Sequence, residues 1–442
     1  MQSGPGPART STRATRGTRA LAEPEGGLAQ SPGRQGQPGR RSPIARPAWL
    51  NRGVAAIGGA SLLADLGHEV PTALLPSFVT STLRAPAAAL GIIEGLADGL
   101  GGLARLAGGA LADDPERRRA TAVGGYTATA VLTALIGAAT SVWQAGALRV
   151  GGWVAQGLRG PARSALLADV VSPSAYGRAF GFERAMDNLG AIGGPLLALG
   201  LVAAAGVRTA ILLSVIPGLL AAVAIVIAIR VAPRLEEREH RPLRLRVRPV
   251  LRGSLGRLLW GVAAFEVGNA AATLLILRAT DLLTPAHGHG AAVKLGLVLY
   301  AAYNLAAAVT SLPAGGLHDR RGSVLVLSLG VGCFLGAYMG FALAGATVAL
   351  LAALFLLAGA GKGLVETAEQ AAVAALAPPV VRGSAFGILA AIQSFGNLGA
   401  SVTAGALWTL VSPRAAFLYL ATWMVVSLVA LTLARTRVGE ER

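Results

Sequence analysis

Ionisable side chains recur at helical spacing inside stretches of this sequence that are otherwise apolar. Arg159 and Arg163 are four residues apart, as are Glu183 and Asp187, Asp65 and Glu69, and Glu94 and Asp98, so each pair shares a helical face. An arginine at the centre of a lipid-facing helix costs ~2.5–3.5 kcal/mol on insertion scales, so such residues need partners or a wet surface. Two carboxylates held close in a low dielectric cannot both stay ionised cheaply, and one of them is expected to bind a proton reversibly. Asp65, Glu69, Glu94 and Asp98 are therefore candidates for proton coupling, with pairing to Arg105 or Arg149, or reaching to an interface, as the plainer alternative. Glu266, near the depth of Asp65 in the second half of the chain, joins them.

The elements that must position these residues are membrane spans. The 442 residues are 53% hydrophobic and 14% charged, against about 25% charged in a soluble domain. Twelve apolar runs are long enough to cross a ~30 Å hydrocarbon layer. They cover roughly 53–81, 87–112, 120–141, 143–170, 178–204, 207–232, 255–283, 292–317, 322–345, 347–376, 384–411 and 413–435. Glycines spaced by four, as at Gly91, Gly95 and Gly99, supply faces on which helices pack closely in lipid.

The formal charge of +17 does not point to nucleic acid, because the basic residues flank the spans. They gather in the N-terminal stretch, at Arg117 to Arg119, at Arg178, in the segment 234–252, at Arg320 and Arg321, at Arg382, and at Arg435 and Arg437. The alternate loops hold only Arg84, Arg208, Lys294 and Arg414. The positive-inside rule then places both termini and the central loop in the cytoplasm, with the protein in the cell inner (plasma) membrane, consistent with an even number of spans. Residues 1–52 read as a disordered basic cytoplasmic tail, whose Arg-rich, acid-free start to Ala22 is also compatible with a transit peptide. The remaining divisions are 53–232 and 254–435 as six-helix bundles, 233–253 as a cytoplasmic linker and 436–442 as a short tail.

The two halves are copies. GGALADDPERRRA (108–120) aligns with AGGLHDRRGSVLV (314–326), and GRAFGFERAMDNLGAIGGPLLALGL (177–201) with GSAFGILAAIQSFGNLGASVTAGAL (383–407), both at an offset of 206. One offset held across about 100 residues implies a duplicated six-helix unit.

The sequence resembles the major facilitator superfamily of secondary transporters over everything after residue 52. The family's loop motif between its second and third helices is matched by Gly315, Leu317, Asp319, Arg320 and Gly322, and by Gly109, Leu111, Asp113, Arg117 and Arg118. Asp114 and Glu116 depart from it. Arg149 and Gly157 fit a fourth-helix motif in which Trp153 replaces a glycine. Gly190, Gly194 and Pro195 match the first part of an antiporter motif whose later glycines are Ala198 and Leu199 here. The resemblance implies an all-α polytopic fold of twelve transmembrane helices in two pseudo-symmetric bundles. These would rock about a central cavity, with Gly109, Asp113, Arg117, Gly315, Asp319 and Arg320 forming a gate.

Within that frame Arg159, Arg163, Glu183 and Asp187 lie roughly 10–20 Å from the cytoplasmic surface at 1.5 Å per residue, and two bases are expected to neutralise two acids. An anion-binding or gating role for one arginine is the alternative. Arg149, Lys362, Glu366 and Glu369 are further cavity or gating charges, and Glu369 falls on Arg163 at the repeat offset, so the halves differ in sign there. His68, Asn269, Asn304, Gln393 and Asn397 could orient a ligand, and Trp260, Tyr300 and Tyr303 could line its site.

No cofactor or metal is indicated. The single cysteine, Cys333, lies in an apolar run, and the HGHG at 287–290 reads as a turn. No nucleophile elbow or phosphate-cradling loop marks an enzyme or an ATP-driven pump. The expectation is a monomeric secondary transporter, drawing on a proton or other cation gradient across the lipid bilayer. It would move a small polar or amphipathic organic molecule, with export slightly favoured. A non-transporting sensor or scaffold of the same fold, or a passive facilitator, is the alternative.

Overall fold

A computed structural model describes residues 49–232 and 244–440. The expected tail over residues 1–48, the linker segment 233–243 and residues 441–442 lie outside the described residues.

The first half comprises α1 (Arg52–Ser77), α2 (Ala87–Ala112), α3 (Pro115–Leu135), α4 (Val142–Asp169), α5 (Tyr176–Leu213) and α6 (Val215–Val231). The second half holds the short α7 (Val247–Val250), then α8 (Gly253–Gly268), α9 (Thr273–His287), α10 (His289–Arg321), α11 (Ser323–Leu343), α12 (Val348–Leu376), α13 (Arg382–Leu410) and α14 (Pro413–Glu440). Helix starts follow local chemistry. Asn51 accepts from the Val54 amide at 2.9 Å, and Asp114 accepts from the Glu116 and Arg117 amides at 2.9 and 3.1 Å, with Pro115 in the first turn of α3.

Eight stretches of the described residues are both long and apolar enough to cross a membrane. One of them, Pro173–Val231, has 59 residues. At 1.5 Å per residue that is ~88 Å, so it must be two passes. The fold divides it at Gly206, whose φ of 77° is open to glycine and strained for other residues. The helices α1, α2 and α4 have 26, 26 and 28 residues and carry Asp65, Glu69, Glu94, Asp98, Arg149, Arg159 and Arg163. With α8 and α9 forming one interrupted pass, the count among the described residues is twelve.

That interruption departs from the continuous 255–283 helix the sequence suggested. The helix stops at Gly268 and resumes at Thr273. The backbone groups freed there are met from α13: Asn397 donates to the Asn269 carbonyl at 2.7 Å, and the Ser401 hydroxyl accepts from the Ala271 amide at 2.9 Å. Broken helices are tolerated at membrane depth where they are buried in protein or line a cavity. The HGHG segment is the turn between α9 and α10, with Gly288 at φ 76°.

The duplication is visible in the packing. The 3-10 turns Pro173–Ala175 and Pro379–Val381, and the helix starts Tyr176 and Arg382, repeat at the offset of 206. Within each half, α2 packs on α4 as α10 packs on α12, and α3 on α6 as α11 on α14. Between the halves, α5 lies against α10 and α2 against α13, two contacts that the pseudo-twofold exchanges.

Candidate functional site

The two bundles meet most closely at the end where α2 and α10 finish and α5 and α13 begin. A Cβ on Gly109 would lie 2.8 Å from the Gly387 Cα and 2.9 Å from the Gly383 carbonyl oxygen. A Cβ on the repeat counterpart Gly315 would lie 2.2 Å from the Gly177 carbonyl oxygen. Backbone therefore rests on backbone at both contacts, which only glycine allows. Each contact is closed by a carboxylate on the neighbouring helix start. Asp319 accepts from the Gly177 amide at 2.7 Å and from Arg178 Nε at 2.7 Å, and its counterpart Asp113 accepts from the Ser384 amide at 2.9 Å and from the Ser384 hydroxyl. A negative group at a helix N-terminus satisfies free amides and complements the helix dipole.

Between these contacts Phe180 packs on Phe386, ring centroids 5.8 Å apart and both rings buried. Around them Arg118 pairs with Asp169, which Arg382 of the other half reaches at 3.5 Å. Two residues of the expected gate stand apart from the contact. Among the described residues Arg117 pairs with Asp114, at 3.9 Å, and Arg320 is exposed, because the last turn of α10 turns it outward. Ser384, Arg178, Arg118 and Arg382 take the polar contacts of the seal instead.

Inside this seal lies the charge cluster. Arg163 meets Glu183 at 3.0 Å and Asp187 at 3.3 Å, and its guanidinium also donates to Ser61 Oγ at 2.9 Å, while Ser61 donates to Glu183 at 2.6 Å. The second arginine of the cluster is not Arg159 but Arg184. It folds back on its neighbour Glu183, with bonds of 2.7 and 2.8 Å, and reaches Asp187 at 3.1 Å. The expected neutralisation of Arg159 by these acids is thus corrected. Arg184 occupies the place, and Arg159, one turn away on α4, faces α3 and lays its guanidinium on the Tyr126 ring at 3.9 Å. Asp65 of α1 and Asp187 of α5 line one chamber beside this cluster.

Two chambers run along the bundle interface. The larger, about 550 Å³, draws its walls from both halves: Asp98, Arg105 and Arg184 face Glu266, Lys362 and Glu366, with Tyr300 and Tyr303 stacked at 5.9 Å. Asn269, Gln393 and Asn397 line it too, and Asn269 donates to Glu266 at 3.0 Å. The smaller, about 230 Å³, lies toward the seal, with Phe386 in its wall, and contains Asp65, Arg159, Arg163 and Asp187. Arg105, Arg184, Gln370 and Gln393 line both. Lys362 bridges the halves, donating to Asn188 at 2.8 Å and to Asn304 at 3.2 Å.

Other expected site residues fall elsewhere. Glu94 is paired with Arg149 at 3.2 Å, and Arg149 also bonds Thr72 at 3.0 Å. Glu369 is fully buried and accepts from Gln393 at 2.7 Å. His68 packs edge-on against Trp153 beside a void of about 10 Å³, off both chambers, because its face of α1 turns to α3 and α6. Asn304 is buried behind the wall as a partner of Lys362, and Trp260 is 70% exposed on the perimeter. Glu69 is half-buried, with its Cβ against Gly194, and Gly190 sits against Asp65 in the same way, so the partial antiporter motif is the surface on which α5 receives the acidic face of α1.

A twelve-pass frame with two related halves, a chamber between them and a seal at one end defines the fold of a membrane transporter. The Major Facilitator Superfamily profile matches residues 57–286 and 270–442, and the chain belongs to that family. The chain is 32% identical over 370 residues to the uncharacterized protein Rv2265 of Mycobacterium tuberculosis, covering 81% of this chain and 85% of that one. Among solved structures it resembles the human organic anion transporter MFSD10 (TM-score 0.68, 17% identity, 87% of this chain and 100% of that one). It also resembles the Escherichia coli fucose:proton symporter FucP (TM-score 0.67, 15% identity, 86% and 98%). At such identities the two solved structures bear on the fold alone.

Proposed function

We propose that this chain is a proton-coupled secondary transporter of a small polar or amphipathic organic solute, with export favoured. It sits in the inner membrane with both termini and the glycine seal on the cytoplasmic side. The observation that carries the reading is the placement of two acids, Asp65 and Asp187, beside Arg163 and Arg184 in one chamber walled by both bundles.

The chemistry runs through α5. With a proton on Asp65, Asp187 alone of the two acids is charged. Loss of the proton leaves two like charges in one chamber, and the doubled negative charge pulls harder on Arg163 and Arg184. The next residue on α5, Asn188, holds Lys362 of the other half at 2.8 Å, so a shift of α5 is passed directly across the bundle interface. Protonation at Asp65 thereby biases the bundle arrangement, which is what coupling requires. Glu266 and Asp98, on opposite walls of the larger chamber, are further proton sites, and Asn269, Gln393 and Asn397 orient the solute. The partial antiporter pattern of α5 favours exchange of a proton for an outgoing solute.

The test is flux in proteoliposomes with an imposed pH gradient, using a solute found by a binding screen. Asp65→Asn should abolish gradient-driven movement and spare counterflow. Gradient-driven flux at the wild-type rate in that variant would remove Asp65 from the mechanism.

A further inference from the structure

The smaller chamber is electrostatically lopsided. Four arginines line it, Arg105, Arg159, Arg163 and Arg184, against the acids Asp65 and Asp187. Arg163 and Arg184 are matched by Asp187 and by Glu183 behind the wall. Arg159 and Arg105 are not matched in this way. Among the described residues no carboxylate lies within 4.0 Å of either, and Arg105 donates only to the Ala390 carbonyl, at 3.2 Å. The nearest acids, Asp98 and Glu266 for Arg105 and Asp65 and Asp187 for Arg159, stand beyond salt-bridge distance, and guanidinium groups held without a direct ion pair are expensive in a membrane interior.

The hydrogen-bond geometry points the same way. Arg159 is 4% exposed, and its Nε finds no acceptor among the described residues. Nor do Arg163 Nε and the Tyr126 hydroxyl, of residues that line the same chamber, find partners there. Tyr126 takes the face of the Arg159 guanidinium, which leaves the N–H edge free. That edge is the part of arginine that forms paired bonds to carboxylate and phosphate oxygens. The chamber's 230 Å³ is well above the ~30 Å³ of one water in the liquid.

We propose that the smaller chamber is an oxyanion site, in which Arg159 and Arg105 hold the carboxylate or phosphate group of an anionic molecule and Tyr126 adds a hydrogen bond. Arg105, Arg184 and Gln393, shared with the larger chamber, form the path by which the anion enters. The inference deepens the transport reading by naming the cargo as an organic anion, and it rests on that reading only for the anion's onward movement. The binding site stands on its own geometry.

The experiment is calorimetric titration of the purified full-length protein in detergent, with inorganic phosphate and succinate as probes at fixed ionic strength against chloride. Wild type should bind at least one probe saturably, and which one it prefers separates a phosphate from a carboxylate ligand. Arg159→Gln and Arg105→Gln should each weaken binding by about 10- to 100-fold, the value of a charge-assisted hydrogen bond. Arg159→Lys, which keeps the charge and loses the fork, should fall between, and Arg414→Gln, at an exposed position, should bind as wild type. Melting curves without anion confirm that each variant is folded, and if Arg159→Gln does not purify, Arg105→Gln and Arg159→Lys carry the comparison. Wild type that binds neither probe, or arginine variants that bind as tightly as wild type, would overturn the proposal. Anion binding without pH-driven flux would leave the site standing and remove the coupling; flux without anion binding would do the reverse.

Discussion

Replacing Gly109 by alanine tests the seal with a single methyl group. The added Cβ would sit 2.8 Å from the Gly387 Cα and 2.9 Å from the Gly383 carbonyl oxygen. Non-bonded carbons prefer ~3.5–4.0 Å, so α2 and α13 must separate by about 0.7 Å or more to admit it. Neither obstacle is a flexible side chain, and overpacking of that kind costs ~1–3 kcal/mol. The cost falls on the arrangement sealed at this end and not on the one in which the bundles have parted here, so the population ratio should move toward the parted state by about 5- to 150-fold. The counterpart Gly315→Ala, whose Cβ would meet the Gly177 carbonyl oxygen at 2.2 Å, should act in the same direction. The readout is labelling of a cysteine placed at Gln156, in the smaller chamber, by a membrane-impermeant maleimide in inside-out vesicles, with Cys333, the one native cysteine, changed to serine. Both variants should label faster than the parent, while Gly91→Ala, where a Cβ meets nothing within 4 Å, should label at the parent rate. Equal labelling of all four proteins would refute the claim that backbone contact at these glycines closes the path.

Arg163→Ala should cost about 1.5–3 kcal/mol in thermal unfolding, the worth of a charged hydrogen bond, and not the ~3–5 kcal/mol of a stranded buried charge, because Arg184 still serves Glu183 and Asp187. Adding Glu183→Gln should recover part of the loss, and a double variant no more stable than the single would count against the pairing. Asp319→Asn removes the negative charge at the start of α5 and should weaken the seal by ~1–2 kcal/mol, read as faster maleimide labelling of the same chamber cysteine; labelling at the parent rate would show that the charge is idle there.

The frame of the molecule was legible in the sequence because its causes are collective. Span length follows from bilayer thickness, and a constant offset of 206 survives divergence since it reflects chain length and not any single contact. What stayed hidden depended on individual geometry. The break after Gly268 leaves no mark in hydropathy, because Asn269 to Ala272 are mostly small and apolar and the side chains that satisfy the opened backbone come from α13, 128 and 130 residues away. Spacing by three puts Arg184 on the face of Asp187, a signal the sequence does carry; its bonds to Glu183 are not legible there, because the side chain curls onto its immediate neighbour. With Arg184 in place, Arg159 lost its expected acids, and no count of charges could have told which of the two arginines would be left over. The pairing of Arg163 with Glu183 and Asp187, by contrast, followed from matched depth on consecutive helices.

Phe180 and Phe386 are repeat counterparts, and they touch each other. Two equivalent points of a twofold arrangement can meet only on the rotation axis, so this aromatic pair marks where that axis passes. An ancestral six-helix protein assembling with a second copy of itself would have brought one phenylalanine against its own duplicate at the same spot. Closure at this end therefore lies at the centre of the pseudo-twofold, where each half meets its own counterpart.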